Sequence, residues 1–123
     1  MPNNYNKKVG QFGEDIAQKY LVKHGYKIIE RNVQASHKEI DIIAKQKDLL
    51  VFVEVKTRTS NKYGQADESM NFRKSKNLRQ AIKKYLGNAN NKIYYRDIRA
   101  DLIAIDIDKT KKIAKIKHYK DII

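Results

Sequence analysis

The sequence predicts a single α/β domain, a mixed sheet of short strands covered by helices. Three observations carry that prediction. Two segments repeat apolar residues at helical spacing, several shorter ones are dense in Ile, Val and Phe, and a glycine closes each helical segment. The chain is 123 residues long, enough to bury one core without metal or disulfide staples.

The elements follow in order. Residues 1–8 are polar and asparagine-rich and are expected to be a flexible tail, leaving 9–123 as one domain. Between 9 and 24, Phe12, Ile16 and Tyr20 recur every four residues beside Gly13, Ala17 and Leu21, which predicts a helix stopped by Gly25. Residues 26–33, YKIIERNV, read as a short strand. Segments 39–44 and 49–57, rich in Ile, Val and Phe, flank Lys45, Gln46, Lys47 and Asp48 and read as an antiparallel hairpin. A polar loop, RTSNKYGQ, follows. Residues 67–86 place Leu78, Ile82 and Leu86 on one helical face and Lys76 and Lys83 on the other, with Gly87 at the end. After GNANN come a short strand at 92–95, the alternating ADLIAIDI at 100–107, a turn at DKTK and a last strand, IAKIKHY. The order is helix, three strands, helix, then two or three strands.

Composition narrows the function. Hydrophobic residues make up 41% and charged residues 33%, and no apolar run approaches the ~20 residues that a bilayer needs. The start, MPNNYNKK, lacks the apolar region of a signal peptide, and the chain has no cysteine. A cytoplasmic protein without membrane segments, disulfides or thiolate metal sites is the expectation. Twenty-seven Lys and Arg against fourteen Asp and Glu leave a net charge of +13, the balance of a chain that meets polyanions. Nucleic acid is the expected partner.

Against that charge, the hairpin gathers acids. With a loop at 45–48, the simplest register sets Ala44 opposite Leu49, Asp41 opposite Phe52 and Glu39 opposite Glu54. Ile40, Ile42, Val51, Val53 and Val55 then share a core face, and Glu39, Asp41, Glu54 and Lys56 share the other. Like charges facing one another in a sheet are destabilising, so a bound divalent cation is the simplest compensation. Mg²⁺ typically takes one or two carboxylates and leaves its other positions to water and phosphate, and Asp41 and Glu54 lie diagonally across this pair. Lys56, two residues beyond Glu54, could hold or deprotonate an attacking water. The bland alternative is a solvated strand face, against which stand Phe52 within that face and three acids crowded in a cationic chain.

Other chemistries find no support. The five glycines form no phosphate loop, and His24, His37 and His118 are scattered without zinc spacing and read as surface residues. Ser36, Ser60, Ser69 and Ser75 have no nucleophile setting, and Tyr94 and Tyr95 could stack on bases or simply pack.

A helix bearing a Glu, then an Asp, then Glu-x-Lys on a hairpin resembles the PD-(D/E)XK nuclease superfamily, with the archaeal Holliday-junction resolvases among its members. More narrowly, GQFGEDIAQKYLVKHGYKIIERN, EIDIIA and LVFVEVKTR with a following YG resemble the YraN-like family of predicted endonuclease-like bacterial proteins. The resemblance implies a restriction-endonuclease-like core of order αβββαβ plus C-terminal strands. It also implies that Asp41 and Glu54 are the metal carboxylates, that Glu14 completes the site and that Lys56 is the catalytic lysine. Two departures are Lys38, where a glycine usually precedes EID, and QADESM after Gly64 in place of a proline and small apolar residues.

The resulting expectation is a Mg²⁺- or Mn²⁺-dependent endonuclease acting on DNA, including branched DNA. Arg58, Lys76, Arg79 and Lys83 would hold backbone phosphates. The alternative is a nucleic-acid-binding module with the same fold and no catalysis. Cutting both strands would take two active sites, which a homodimer would supply.

Overall fold

The computed structural model describes residues 4–59, 72–88 and 92–123. The elements are α1 (Asn4–Lys23), β1 (Lys27–Ala35), β2 (Lys38–Gln46), β3 (Leu49–Arg58), α2 (Phe72–Leu86), β4 (Asp97–Asp108) and β5 (Ile113–Tyr119). They form a five-stranded mixed sheet in the order β1-β2-β3-β4-β5. The three strands before α2 meander antiparallel, β4 joins parallel to β3, and β5 returns antiparallel. A parallel neighbour requires a crossover, and the segment containing α2 supplies it.

Both sheet faces are buried. On one, Ala17 and Leu21 of α1 pack with Tyr26, Ile42, Ala44, Val51, Val53, Ile103 and Ile105. On the other, Leu78, Ala81, Ile82 and Tyr85 of α2 pack with Ile40, Ile43, Leu50, Phe52 and Ala100. Leu21 and Leu78 are each fully buried, and such burial stabilises by about 2 kcal/mol per side chain. The Tyr85 hydroxyl donates to Glu30 at 2.8 Å, tying α2 to the first strand. That bond and burial together push the Tyr85 hydroxyl up to about 12, with burial the larger cause.

Several expectations are corrected. The first helix starts at Asn4, inside the stretch read as a tail; polar residues extend a helix readily once its inner face is packed. That inner face is Gly13, Ala17 and Leu21, whereas Phe12 is 55% exposed. Gly25 does end the helix, at φ 89°. Residues 92–95 are not a strand, and Tyr94 and Tyr95 are exposed, with Lys45 Nζ 5.4 Å from the Tyr94 ring centroid. The loop RTSNKYGQ from Ser60 onward and the first residues of the predicted second helix, 67–71, lie outside the described residues.

The hairpin register also differs. Gln46 pairs with Leu49, Ala44 with Val51 and Ile43 with Phe52, two residues away from the expected alignment. Lys47 adopts φ 54°, so two residues, Lys47 and Asp48, make the turn. Lys45 and Gln46 read as loop because they are polar, yet both belong to the ladder; Gln46 Nε2 donates to the His24 carbonyl at 3.2 Å. A shift of two preserves which face each side chain takes.

Candidate functional site

The β2–β3 ladder runs from Gln46↔Leu49 to Ile42↔Val53 and stops there. Beyond that step β2 stays with β1, through Val33↔Ile40 to Ala35↔Lys38, while β3 stays with β4, through Glu54↔Leu102 to Arg58↔Asp106. The sheet therefore forks. Asp41 is the first residue past the last pair, and its Oδ2 accepts the Val55 amide at 2.8 Å. A carboxylate thus satisfies a backbone donor that the ladder no longer serves. Continuing the register sets Asp41 directly across from Glu54, not diagonally.

Side-chain alternation breaks at the same place. Ile42 packs with the α1 core and Ile40 with the α2 core, although both were expected on one face. Asn32, the β1 residue beside Asp41 between the Arg31↔Ile42 and Val33↔Ile40 pairs, has φ 55°. That left-handed conformation, which Asn tolerates better than most residues, changes the direction of the strand locally.

The first helix brings Glu14 to the fork by close approach. A Cβ on Gly13 would overlap the Thr57 side chain, whose Cβ would lie 2.8 Å away, so only glycine allows this contact with β3. Arg31 fixes the helix from β1, donating to Asp15 at 2.8 Å, to Gln18 at 3.0 Å and to Glu14 at 3.3 Å. With its amide turned to donate, Asn32 lies 2.9 Å from Glu14 Oε1 and 3.1 Å from Glu39 Oε1. Carboxylate oxygens of Glu14, Glu39 and Asp41 all fall within 4.8 Å of one another.

This crowding shows in the acid strengths. Burial, then the charge of Glu54, pushes Asp41 up from 3.8 to about 8, against the pull of the Val55 amide. Burial raises Glu14 as well, and Arg31 offsets only part of it. Glu14 and Asp41, whose charged forms are disfavoured here, lie where with Glu39 they could hold a cation.

Glu54 is differently placed. Lys38 Nζ donates to Oε1 at 3.1 Å and lies 3.0 Å from Oε2. The second contact is an ion-pair distance without hydrogen-bond geometry, so Oε2 is a buried acceptor with no donor among the described residues. Lys56 and Arg58 follow on β3, half-buried and alternating onto the same face as Glu54. Lys76, Arg79 and Lys83 are exposed on α2. Lys83 borders a cleft of about 480 Å³ beside Glu30 and Gln34, and Arg79 one of about 290 Å³ beside Arg99 and Asp121. Among the described residues no hydrogen bond or ion pair joins these three cations to the carboxylates.

Sequence reasoning assigned Glu14, Asp41 and Glu54 to the site and left out Glu39 and Lys38. Glu39 stood in the acidic pattern, but its use depends on a break in alternation that no pattern shows. A second charged cluster was missed altogether. Asp101 is fully buried on the α1 face and accepts both Arg99 Nε and Nη2 at 2.8 Å. His118 Nε2 lies 2.7 Å from Asp101 Oδ2, and its Nδ1 lies 3.1 Å from the Tyr20 hydroxyl. Arg99 also donates to the Tyr26 hydroxyl at 2.8 Å. Burial alone would raise the Asp101 carboxyl, yet hydrogen bonds from His118, Arg99 and the Asp121 amide hold it below its ordinary range. His118, expected on the surface, is a strut between α1 and β4; an aspartate within an apolar run, as in ADLIAIDI, was the available signal.

Relatives extend over nearly the whole chain. It is 41% identical to a UPF0102 protein of Caldicellulosiruptor bescii over 117 residues, 94% of this chain and 96% of that one. It is 38% identical to a UPF0102 protein of Syntrophomonas wolfei over 92% of this chain and 95% of that one, and 40% identical to one of Clostridium botulinum over 92% and 94%. Among solved structures it is similar to Pyrococcus furiosus SfsA in complex with Ca²⁺, at TM-score 0.44 and 13% identity. That likeness covers 93% of this chain and 63% of SfsA. The model of the uncharacterised protein family UPF0102 matches residues 13–105. The chain belongs to that family.

Proposed function

We propose that this protein is a metal-dependent endonuclease that hydrolyses phosphodiester bonds in DNA, on a PD-(D/E)XK-type core. The observation that carries the reading is the fork: Glu14, Glu39 and Asp41 converge within 4.8 Å, with Asp41 pushed up to about 8. Hard oxygen donors at this spacing suit Mg²⁺ or Mn²⁺, and the buried Glu54 Oε2 without a donor offers one more. Glu14, Asp41 and Glu54 would hold the ion, with Glu39 beside them. Bound there, the cation would lend Lewis-acid charge to the scissile phosphate and to the attacking water.

The chain's own groups supply the rest. Asp41 is fixed by the Val55 amide, so its carboxylate is oriented before any ligand arrives. Lys56, on the face of Glu54, would orient the water and neutralise charge as it develops on the phosphate. Arg58 and the exposed Lys76, Arg79 and Lys83 would hold backbone phosphates without reading sequence. A homodimer would place two such sites on the two strands.

One observation favours a second reading, a DNA-binding module without catalysis. The Lys38 ammonium sits 3.0 Å from Glu54 and occupies the charge that a metal would take. A cleavage screen over single-stranded, duplex, flapped and four-way DNA with Mg²⁺ and with Mn²⁺ decides between them. Metal-dependent cleavage abolished by Asp41→Asn supports the nuclease; binding without cleavage of any substrate supports the module.

A further inference from the structure

We propose that the rim of the sheet along β5 is the track on which a DNA strand leaves the fork, with Lys115 and Lys117 as its phosphate contacts. This inference rests on the endonuclease reading and names where its substrate lies. Lys56 neighbours Ala104 on β4, and Ala104 neighbours Lys117 on β5; Arg58 neighbours Asp106, and Asp106 neighbours Lys115. Registered neighbours share a face, so Lys117 and Lys115 stand on the same side of the sheet as Glu54, Lys56 and Arg58.

Distances suit a backbone passing across. Strands lie about 4.8 Å apart, which puts Lys117 about 10 Å from Lys56, and same-face residues two apart on β5 are separated by about 7 Å. A phosphate at the fork and the next ones along one strand would meet Lys56, then Lys117, then Lys115. The β4 residues between them are buried, Ala104 at 2% and Asp106 at 4% exposure, while Lys115 and Lys117 are exposed on the edge strand. Asp106 sits between Arg58 and Lys115 and leaves that row with a net positive charge.

Charge complementarity names the occupant. Residues 109–120 hold six lysines and no acid, a run of one sign as dense as the one on α2, and none of it belongs to the fork. Lysines on an edge strand also discourage pairing with another sheet, so β5 is suited to a polyanion and poorly suited to a strand of a second copy.

The test is binding of labelled single-stranded and duplex DNA, and of RNA of the same sequence, across a salt series in EDTA so that no cleavage intervenes. Lys115→Ala/Lys117→Ala should weaken DNA binding about tenfold or more at low salt and lower the slope of log affinity against log salt by about 2. Lys115→Arg/Lys117→Arg should keep both. Lys19→Ala/Lys23→Ala, exposed on α1 and away from this face, is the charge-matched control and should change the slope little. Double alanine variants that behave alike overturn the track and leave the nuclease reading intact, because the wild type still binds. A wild type that binds no DNA at low salt overturns both. Tighter binding of RNA than of either DNA overturns the choice of DNA.

Discussion

The Asp41 carboxylate accepts the Val55 amide at 2.8 Å, one residue past the last β2–β3 pair. Burial and Glu54 push Asp41 up to about 8, so between its ordinary value of 3.8 and that figure the folded chain keeps a proton that the unfolded chain has lost. Stability from this group is full below 3.8 and falls as pH rises towards 8. Asp41→Asn keeps an acceptor for Val55 and removes the acid. At pH near 7 in EDTA it should therefore stabilise the protein by roughly 1–3 kcal/mol, several degrees in Tm for a domain of this size. It should also abolish the rise in Tm that Mg²⁺ or Mn²⁺ is expected to give the wild type through linkage. A full metal response in Asp41→Asn, measured by scanning calorimetry, would remove Asp41 from the ligand set.

Lys38 and Glu54 form an ion pair in which both partners are less than a fifth exposed. If Glu54 holds the proposed ion, the ammonium would compete with it for the same carboxylate. Lys38→Met keeps the aliphatic stem and removes the charge. Mn²⁺ affinity by titration calorimetry should rise about tenfold, which is ~1.4 kcal/mol. Unchanged affinity would mean that Glu54 takes no part in holding the ion.

Gly13 sets the distance between α1 and β3. Gly13→Ala places a methyl on the Thr57 side chain, and overpacking of this kind typically costs ~1–3 kcal/mol. The helix must also withdraw, carrying Glu14 away from Asp41. Metal affinity should fall together with Tm, and Gly13→Ala/Thr57→Ala, which clears the space on the strand side, should recover part of both. A loss of stability with metal affinity intact would separate Glu14 from the site.

Much of the fold was legible because periodicity survives without context. The helical spacing of Ala17, Leu21, Leu78 and Ile82 and the apolar runs around Ile42 and Val53 mark elements that the structure contains. The register was not legible, since the polar Lys45 and Gln46 look like loop and pair as strand. Nor was the fork, where β2 stays with β1 beside the left-handed Asn32, because no local pattern in the sequence marks where two strands part. Asp101 and His118 meet only through tertiary contact, 17 residues apart on neighbouring strands; the apolar run around Asp101 hints at a buried acid, but nothing local marks His118 as its partner.

The Asp101 cluster gives a pH dependence of its own. Its carboxyl is held below the ordinary value of 3.8, so it contributes stability that is full above that value and is lost as pH falls through the lowered one. Asp101→Asn should remove this part of the acid-unfolding limb. It should also cost about 1–3 kcal/mol at neutral pH, because the partly buried Arg99 loses its charged acceptor. Acid titration followed by circular dichroism checks both; an acid limb that does not change would assign acid unfolding to other carboxylates.

Lys56 separates binding from chemistry. It stands two residues beyond Glu54 on the same face, and its proposed work is confined to orienting the water and neutralising charge that develops in the transition state. Lys56→Ala should then leave the metal-induced rise in Tm in place and change DNA affinity by no more than a single phosphate contact would. Turnover should fall by a factor of 10² or more, with the loss in kcat and little of it in KM. Lys56→Arg keeps the charge and loses the compact ammonium, so it should restore DNA affinity and only part of the rate. Single-turnover cleavage of a labelled substrate, with metal and DNA affinities taken on the same preparations, separates these steps. A Lys56→Ala protein that cleaves at the wild-type rate would reduce this lysine to one more cation on the sheet face.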